Sequence, residues 1–330
     1  MEREYIGIDL HKQFFQACAV TPTGIRVWEQ RFPRTDGGLV LFRERCTSMT
    51  ALAVEATGPT WAFVDALRPS GATVCVVDPR KTRLKAGYAA KTDRLDARRL
   101  ADALRRESVV SIYVPPPAVR ELREVCRGRH QVVRLRARIA QMIRALLLRS
   151  GVSDVPVTRV FSARGLAWLS QVQLPSEAGA SLERWRRVLL AVQAEATVAE
   201  AMVKARATAD AIARALDDLV GIGPVLALTL RAEIGDIARF PRGAALASYA
   251  GLVPRVDASA DRYWSGRITR EGSPWLRWAL VHTAIHAIRR QDGLGRWARQ
   301  LAMRKGVYKA RVALARRLCD EVVTVWPRCA

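Results

Sequence analysis

The stretch YIGIDLH, residues 5–11, is an apolar segment that contains one carboxylate, Asp9. Together with FFQACAV at 14–20, a TPTG turn and IRVWEQRF at 25–32, it predicts three short strands joined by tight turns. A carboxylate inside an apolar strand is costly to bury unless it is paired or binds a cation. Asp9 is therefore a candidate functional residue, and the alternative is a core side chain whose hydrogen bonds are satisfied.

Strands and helices then alternate along the chain. Residues 36–47, 60–68 and 92–107 have helical spacing, whereas MTALAVEA (49–56) and ATVCVVDP (72–79) are apolar strand-like runs. Glu55 lies at the end of the first of these runs. A meander of strands followed by alternating strands and helices predicts a mixed α/β layered domain over residues 1–115.

The chain is strongly basic, with 54 Lys and Arg against 31 Asp and Glu and a formal charge of +23. Between residues 83 and 150 there are 17 basic and 6 acidic side chains, an excess that pairing along one helix cannot neutralise. We interpret this region as a phosphate-binding surface rather than an ordinary solvated helix face. The candidate nucleic-acid contacts from this region are Arg98, Arg99, Arg127, Arg134 and Arg138.

The remaining bulk features predict a cytoplasmic protein of the bacterial intracellular type, associated with nucleic acid rather than with a membrane. The first residues are charged instead of forming a signal peptide, and no apolar run reaches the roughly 18 residues of a membrane span. No lipidation motif supports the rival possibility of membrane-surface binding. The six cysteines are scattered without CxxC spacing, as expected of reduced thiols.

After VPPP at 114–117 the sequence becomes helical. Residues 118–149 and 182–216 predict long antiparallel helices within a basic region spanning 116–216, and a coiled coil that also serves dimerisation is one arrangement of such helices. Residues 217–330 predict a mostly α-helical domain with one loop-rich patch at 246–280. Its GIGP sequence resembles a helix-hairpin-helix turn, in which Gly221 and Gly223 would let backbone N–H groups approach a phosphate. A simple tight turn explains the same residues.

Two further carboxylates lie in KTDRLDARRLADALRR, residues 91–106. Asp93 and Asp96 are three residues apart and share one face of the predicted helix. With Asp9 and Glu55 they form a set of four oxygen ligands that suits Mg²⁺ or Mn²⁺, the ions that assist phosphodiester cleavage. The alternative is that Asp93 and Asp96 only form ion pairs with Lys91, Arg98 or Arg99.

The segments YIGIDLHK, VEATGP and KTDRLDARRLA resemble the N-terminal motifs of the DEDD-type insertion-sequence transposases, a family that includes pilin-gene-type invertases and bridge-RNA-guided recombinases. The stretch from GIGPVLALTLRAEIGD to GSPWLR resembles the second conserved domain of that family. The resemblance implies an RNase H-like, Holliday-junction-resolvase-like domain at the N-terminus. Its metal-binding tetrad would be Asp9, Glu55, Asp93 and Asp96.

The resemblance also implies a nucleophilic serine shortly after the GLVP element at 251–254. Ser259 occupies that position. Relatives have Ser-Gly there, whereas Ala260 follows Ser259, so Ser265, which precedes Gly266, is the alternative nucleophile. Four arginines near the serine would neutralise phosphate charge: Arg255, Arg262, Arg267 and Arg270.

We therefore expect a DNA recombinase that cuts its element's ends and a target with Mg²⁺ or Mn²⁺ and rejoins strands through Ser259. The resemblance implies a structured guide RNA as a further partner, and recombination implies a homodimer that assembles into a tetramer. The first alternative is a junction-resolving endonuclease that uses the same four carboxylates without a covalent serine step. The second is a non-catalytic nucleic-acid-binding protein.

Overall fold

A computed structural model describes the backbone of residues 3–79, 81–82, 92–152, 155–259 and 262–326, and their side chains except those of residues 256–259 and 262–265. The chain forms two compact units, Met1–Val114 and Pro115–Ala330. The division of the second unit at residues 216 and 217 stays a prediction. No helix in the described part of the chain combines the length and the hydropathy that a membrane span requires.

The first unit is a five-stranded sheet with helices on both faces. Its elements in chain order are β1 (Glu4–Leu10), β2 (Phe14–Val20), β3 (Arg26–Pro33), α1 (Asp36–Arg43), β4 (Thr50–Glu55), α2 (Thr60–Leu67), β5 (Thr73–Val77) and α3 (Asp93–Arg105). The strand order is β3-β2-β1-β4-β5. The β1–β2 and β2–β3 pairs are antiparallel, whereas β1–β4 and β4–β5 are parallel. This mixed sheet is consistent with the expected RNase H-like domain.

The two faces of the sheet bury different side chains because consecutive strand residues point in opposite directions. One face carries Ile6, Ile8 and Val54, which pack in a cluster with Phe42 of α1 and Phe63 of α2. The opposite face is covered by α3. It includes Ala53 and Cys18, which pack in clusters with residues of that helix.

Helix α3 approaches β1 closely because residue 7 is glycine. A Cβ atom at Gly7 would overlap the carbonyl oxygen of Ala97 and the amide nitrogen of Ala101. The backbone of α3 therefore lies almost directly on β1 at this point. Two residues further along the same face of β1 is Asp9, which brings it toward the first turn of α3.

The second unit is built from helices and one small sheet. Its elements are α4 (Pro117–Arg149), α5 (Ala163–Leu169), α6 (Ser176–Ala209), α7 (Ala211–Asp217), α8 (Pro224–Ile234), α9 (Gly243–Tyr249), β6 (Pro254–Ser259), β7 (Arg262–Ile268), α10 (Pro274–Ala287), α11 (Gly293–Lys305) and α12 (Val307–Val325). The main core joins residues of α7, α8, α9, α10 and α12.

Helices α4 and α6 form a long antiparallel pair. Ile143, late in α4, packs in one cluster with Leu182, early in α6, whereas Arg129, early in α4, pairs with Glu200, late in α6, at 3.0 Å. The buried residues of α6 include Leu182, Leu189, Ala196 and Val203, which are seven residues apart. A seven-residue repeat of buried apolar side chains is the pattern of coiled-coil packing.

The single helix predicted over 182–216 is wrong at Asp210, where the structure ends α6 and begins α7. Asp210 has an extended backbone, and its carboxylate accepts a hydrogen bond from the N–H of Ala213 at 2.8 Å. Its other oxygen pairs with Arg231 of α8 at 3.2 Å. The break results from this cap and this distant ion pair, which the helical spacing of the sequence does not reveal.

The prediction of a loop-rich patch over residues 246–280 is wrong for residues 254–268, where the structure has two strands. Strands β6 and β7 form an antiparallel hairpin in which Pro254 pairs with Ile268 and Ser259 with Arg262. Residues 254–259 alternate apolar and polar side chains, but residues 262–268 do not, because Tyr263 and Trp264 are adjacent. The second strand therefore lacks the alternation that predicts a strand. Beyond the hairpin, Thr269 N–H donates to the carbonyl of Val253 at 2.9 Å, so the pairing continues past the strands.

Candidate metal centre and nucleic-acid surface

Asp9 and Glu55 lie side by side at one end of the sheet. Ile8 of β1 pairs with Val54 of the parallel strand β4, so the next residues, Asp9 and Glu55, are level on strands about 4.8 Å apart. Both follow residues of the apolar face and therefore point toward the face that α3 covers. The two strand carboxylates predicted from the sequence thus meet at the same edge.

The first turn of α3 supplies the other two carboxylates. Thr92 caps the helix by accepting a hydrogen bond from the N–H of Leu95 at 3.3 Å. Asp93 and Asp96 follow in the first turn, where the helix dipole favours negative charge. Asp93 shares a helix face with Ala97, which lies against β1 at Gly7. Asp96 lies one turn after Asp93, and its charge also acts on Asp9. The helix that the sequence predicted from residue 92 therefore presents both aspartates to the strand ends.

Asp9 and Asp93 converge on one imidazole nitrogen. The Nε2 atom of His11 lies 3.1 Å from Oδ2 of Asp9 and 3.5 Å from Oδ1 of Asp93. One ligand atom from each of these three residues lies within 4.8 Å of the others. Asp96 instead pairs with Arg99 at 3.2 Å. The ion-pair alternative is thus observed for Asp96, while Asp93 belongs to a cluster of potential metal ligands.

The charges around Asp9 favour an additional cation. Burial raises the pKa of Asp9 above its usual value, and the carboxylates of Asp93 and Asp96 raise it further. His11 acts in the opposite direction through its charge and hydrogen bond. Because neighbouring negative charges oppose ionisation of Asp9, a bound cation would stabilise the ionised form. The donor set of two carboxylates and an imidazole therefore fits a divalent ion.

The candidate nucleophile lies near the tip of the β6–β7 hairpin. Ser259 is the last residue of β6 and pairs with Arg262, whereas Ser265 lies further from the tip, opposite Val256. Ala260, whose departure from the family pattern leaves the choice of serine open, lies outside the described residues. The structure describes the backbone of both serines but not their side chains.

Positive charge gathers at the base of this hairpin. Arg255, Arg267 and Arg270 are exposed, and the side chain of Arg262 is among those not described. Arg270 has a left-handed backbone with φ of 57°, which is unusual for a residue other than glycine and recurs at functional sites. Burial, and then the charge of Arg270, lowers the pKa of Arg277. An anion bound here would relieve the repulsion between these two guanidinium groups.

The arginines of the predicted basic surface differ in exposure and in ion pairing. Arg134 and Arg138 are exposed on α4, where they line a groove with Gln131 and Gln141. Arg98 is exposed on α3, and Arg99 is paired with Asp96. Nucleic-acid binding by these residues stays a prediction.

Arg127 is held by a buried carboxylate. Its Nε and Nη2 atoms donate to the two oxygens of Glu233 at 2.8 and 3.0 Å, and the Glu233 side chain is only 1% exposed. Ser273, which caps α10, also donates to Glu233, at 2.8 Å. This network joins α4, α8 and the start of α10. It gives Arg127 a structural partner in place of a free guanidinium.

The two glycines of the predicted phosphate-binding turn differ in their surroundings. Gly221 has φ of +95°, and a Cβ atom there would lie 2.8 Å from the amide nitrogen of Ala287. Gly223 precedes α8, which begins at Pro224 without a side-chain cap, and a Cβ atom at Gly223 would meet nothing within 4 Å. Gly221 is therefore explained by its backbone and packing. The role of Gly223 at a phosphate stays a prediction.

Three residues that matter to these sites received no role from the sequence: Gly7, His11 and Glu233. Gly7 and His11 lie within the YIGIDLHK motif that carried the resemblance. His11 lies two residues after Asp9, and this short spacing is the feature of the sequence that could have indicated His11 as a second ligand. Glu233 lies in the mostly apolar helix α8. A carboxylate among apolar residues indicates a buried charge that needs a partner, as it does at Asp9.

Comparisons with known proteins indicate the family of the chain. A family profile described as a transposase matches residues 6–151, and a second, described as the transposase IS116/IS110/IS902 family, matches residues 213–299. The chain is 29% identical to a probable family 20 transposase of Pseudomonas aeruginosa, over 96% of this chain and 95% of the relative. It is 26% identical to the transposase for insertion sequence element IS1111A of Coxiella burnetii, over 94% and 86% of the two chains.

These matches, which span both compact units, define the class of the protein: it is an insertion-sequence transposase. Within that class, the chain belongs to the DEDD transposase family.

Proposed function

We propose that the protein cuts and rejoins DNA strands during movement of an insertion sequence, with a divalent ion held by Asp9, Glu55, Asp93 and Asp96 and with Ser259 as nucleophile. The observation that carries this proposal is the convergence of Asp9 and Asp93 at the joint edge of β1 and α3. Family membership supports DNA as the substrate, and the charge of +23 supports a phosphate-rich partner.

The carboxylates would hold Mg²⁺ or Mn²⁺, which supplies Lewis-acid activation of a phosphodiester and of the attacking oxygen. Asp9 and Asp93 are the residues whose positions support binding most directly. Glu55 lies level with Asp9 and would complete the set from β4. Asp96 would join it by leaving Arg99, whose guanidinium would then be free to pair with a phosphate.

The serine step is a transesterification. The Oγ atom of Ser259 would attack phosphorus and give its proton to solvent, while the bond from phosphorus to the departing strand's oxygen breaks and that oxygen takes up a proton. A serine hydroxyl is a poor nucleophile unless it is activated, which is the task we assign to the metal site. The resulting phosphoserine bond conserves the phosphodiester, so that strands rejoin without ATP. Placement of Ser259 beside the hairpin tip supports its access to DNA.

The exposed arginines near the hairpin would neutralise the developing negative charge. The cation repulsion between Arg270 and Arg277 supports an anion at this position. A structured guide RNA is a part of the proposal that rests on the family resemblance. The dimer that assembles into a tetramer rests on the requirement of recombination for several active sites held together. Charge alone does not discriminate RNA from DNA.

The test uses labelled DNA carrying the element's end junction, with Mg²⁺ and RNA transcribed from the element's flanks. On a denaturing gel, the full-length protein should give a protease-sensitive, covalently shifted DNA band. The band should disappear in Ser259→Ala and in Asp93→Ala, because one removes the nucleophile and the other a metal ligand. Ser265→Ala is the matched control and should retain the shift. Loss of the band in Ser265→Ala with retention in Ser259→Ala would reassign the nucleophile.

A metal-dependent nuclease of the junction-resolving type is the second candidate. The observation in its favour is that Asp9, His11 and Asp93 all belong to the first unit, so hydrolysis requires no residue of the second. In that case the same gel would show cleavage without a shifted band, and Ser259→Ala would cut as well as the wild type.

The exposed arginines of α4 give a prediction about salt. We expect the double change Arg134→Ala/Arg138→Ala to weaken binding to all DNA sequences alike and to reduce the slope of log K against log salt by about 2, since each lost phosphate contact removes roughly 0.9. Fluorescence anisotropy across a salt series measures this slope. Arg186→Ala is the control, because Arg186 is already bonded to Glu183 at 2.8 and 2.9 Å. A double variant with the wild-type slope would contradict the assignment.

A further inference from the structure

The histidine beside the acidic cluster has the position of a ligand. A single atom, Nε2 of His11, faces both carboxylates, at 3.1 Å from Asp9 and 3.5 Å from Asp93. In an octahedral site with bonds near 2.1 Å, neighbouring ligand atoms are about 3 Å apart. The two distances therefore correspond to neighbouring corners around one ion. The ligand atoms of Asp9, His11 and Asp93 all lie within 4.8 Å of one another.

The ring of Phe14 supports the imidazole of His11 in this orientation. His11 follows β1, and its backbone N–H donates to the carbonyl oxygen of Phe14 at 2.9 Å, which fixes the main chain that carries the ring. Its ring stacks on the Phe14 ring at 4.5 Å between centroids. The guanidinium of Arg31 lies over Phe14 at 3.3 Å from the ring centroid. A ligand fixed by its neighbours in this way loses little conformational freedom when a metal binds.

We propose that His11 is a direct metal ligand through Nε2 and makes the site prefer Mn²⁺ over Mg²⁺. This inference rests on the proposed metal site. Mg²⁺ favours oxygen ligands and retains several waters, whereas imidazole nitrogen suits first-row transition ions, and Mn²⁺ accepts both kinds of ligand. A site with one nitrogen ligand should therefore bind Mn²⁺ more tightly than Mg²⁺. Four carboxylates alone would offer both ions the same oxygen ligands.

The direct test is pulsed EPR of Mn²⁺ bound to the full-length protein, without DNA. Nitrogen from a coordinated imidazole should modulate the Mn²⁺ echo in the wild type, and the modulation should be lost in His11→Ala and His11→Gln. The Kd for Mn²⁺ should rise in both variants by at least the roughly 10- to 100-fold that follows loss of an outer-shell partner. The Kd for Mg²⁺ should change much less. The glutamine variant tests the same point if the alanine variant folds poorly.

His286→Ala is the matched control. His282 and His286 are four residues apart on α10, a spacing that binds transition ions elsewhere, so a nitrogen coupling that disappears in this variant would overturn the inference. A coupling that persists in His11→Ala would overturn it as well.

Two further results separate the inference from the proposed function. Mn²⁺ that binds in a manner dependent on Asp93, but without nitrogen coupling, would refute the role of His11 and leave the carboxylate site intact. If Asp93→Ala leaves Mn²⁺ binding and its nitrogen coupling unchanged, both the metal site proposed here and the assignment of His11 are refuted.

Discussion

Replacement of Gly7 by alanine should lower DNA cleavage by about a hundredfold or more, although residue 7 is not expected to touch substrate. The added Cβ atom would overlap backbone atoms of Ala97 and Ala101, and backbone cannot move aside as a flexible side chain can. Helix α3 would therefore shift away from β1 and carry Asp93 away from Asp9. Displacement of a reacting group by about 1 Å costs roughly 10²-fold in rate, and overpacking of this kind costs about 1–3 kcal/mol of stability.

Cleavage of junction DNA, urea unfolding and Mn²⁺ affinity together measure this effect. Gly37→Ala is the matched control, because a Cβ atom at Gly37 meets nothing within 4 Å and the residue lies in α1. It should leave cleavage unchanged and stability equal or slightly higher, since alanine is the better helix former. Wild-type cleavage and metal affinity in Gly7→Ala would show that contact between α3 and β1 does not set the geometry of the site.

Loss of Arg127 should destabilise the protein by about 3 kcal/mol. Removal of one partner from a buried ion pair costs roughly 3–5 kcal/mol because the other charge is left without compensation. The lower end applies here because the Arg127 side chain is 35% exposed and Ser273 still donates to Glu233. Denaturant unfolding of Arg127→Met measures the change. Arg134→Ala, seven residues further along α4 and exposed, should change stability by less than about 0.5 kcal/mol.

A double variant tests the physical cause. Arg127→Met/Glu233→Met removes both charges and replaces them with apolar side chains of similar length, which is often neutral or stabilising. It should therefore be more stable than Arg127→Met alone. If the double variant is less stable than the single one, the stability does not arise from the unpaired charge at Glu233.

Features that depend on local spacing were predictable from the sequence. The apolar runs around Asp9 and Glu55 predicted β1 and β4, and helical spacing after residue 92 predicted α3. Because ligands in layered α/β folds bind at strand ends, the sequence also predicted that Asp9 and Asp93 lie close together. The participation of His11 was not, because it depends on how the turn after β1 orients one ring, which spacing along the chain does not specify.

Features that depend on partners distant in sequence escaped prediction. Asp210 ends α6 through a cap and through Arg231, which lies 21 residues later. Glu233 is stabilised by Arg127, 106 residues earlier. The sequence around Asp210 is compatible with an uninterrupted helix, and the sequence around Glu233 does not show which residue pairs with it. In both cases the contact that decides the structure forms only when the helices pack.

The two ends of the long α4–α6 pair should differ in the rate at which their amide hydrogens exchange with solvent. Ile143, Leu182 and Leu189 belong to a hydrophobic cluster separate from the main core, whereas Cys126 and Val203, at the other end of the same two helices, belong to the main core. One helix pair thus contributes to two separate hydrophobic clusters. We therefore expect amide hydrogens around Ile143 and Leu182 to exchange through a local opening that leaves Arg127 and Glu233 bonded, and those near Val203 to exchange more slowly, with unfolding of the main core.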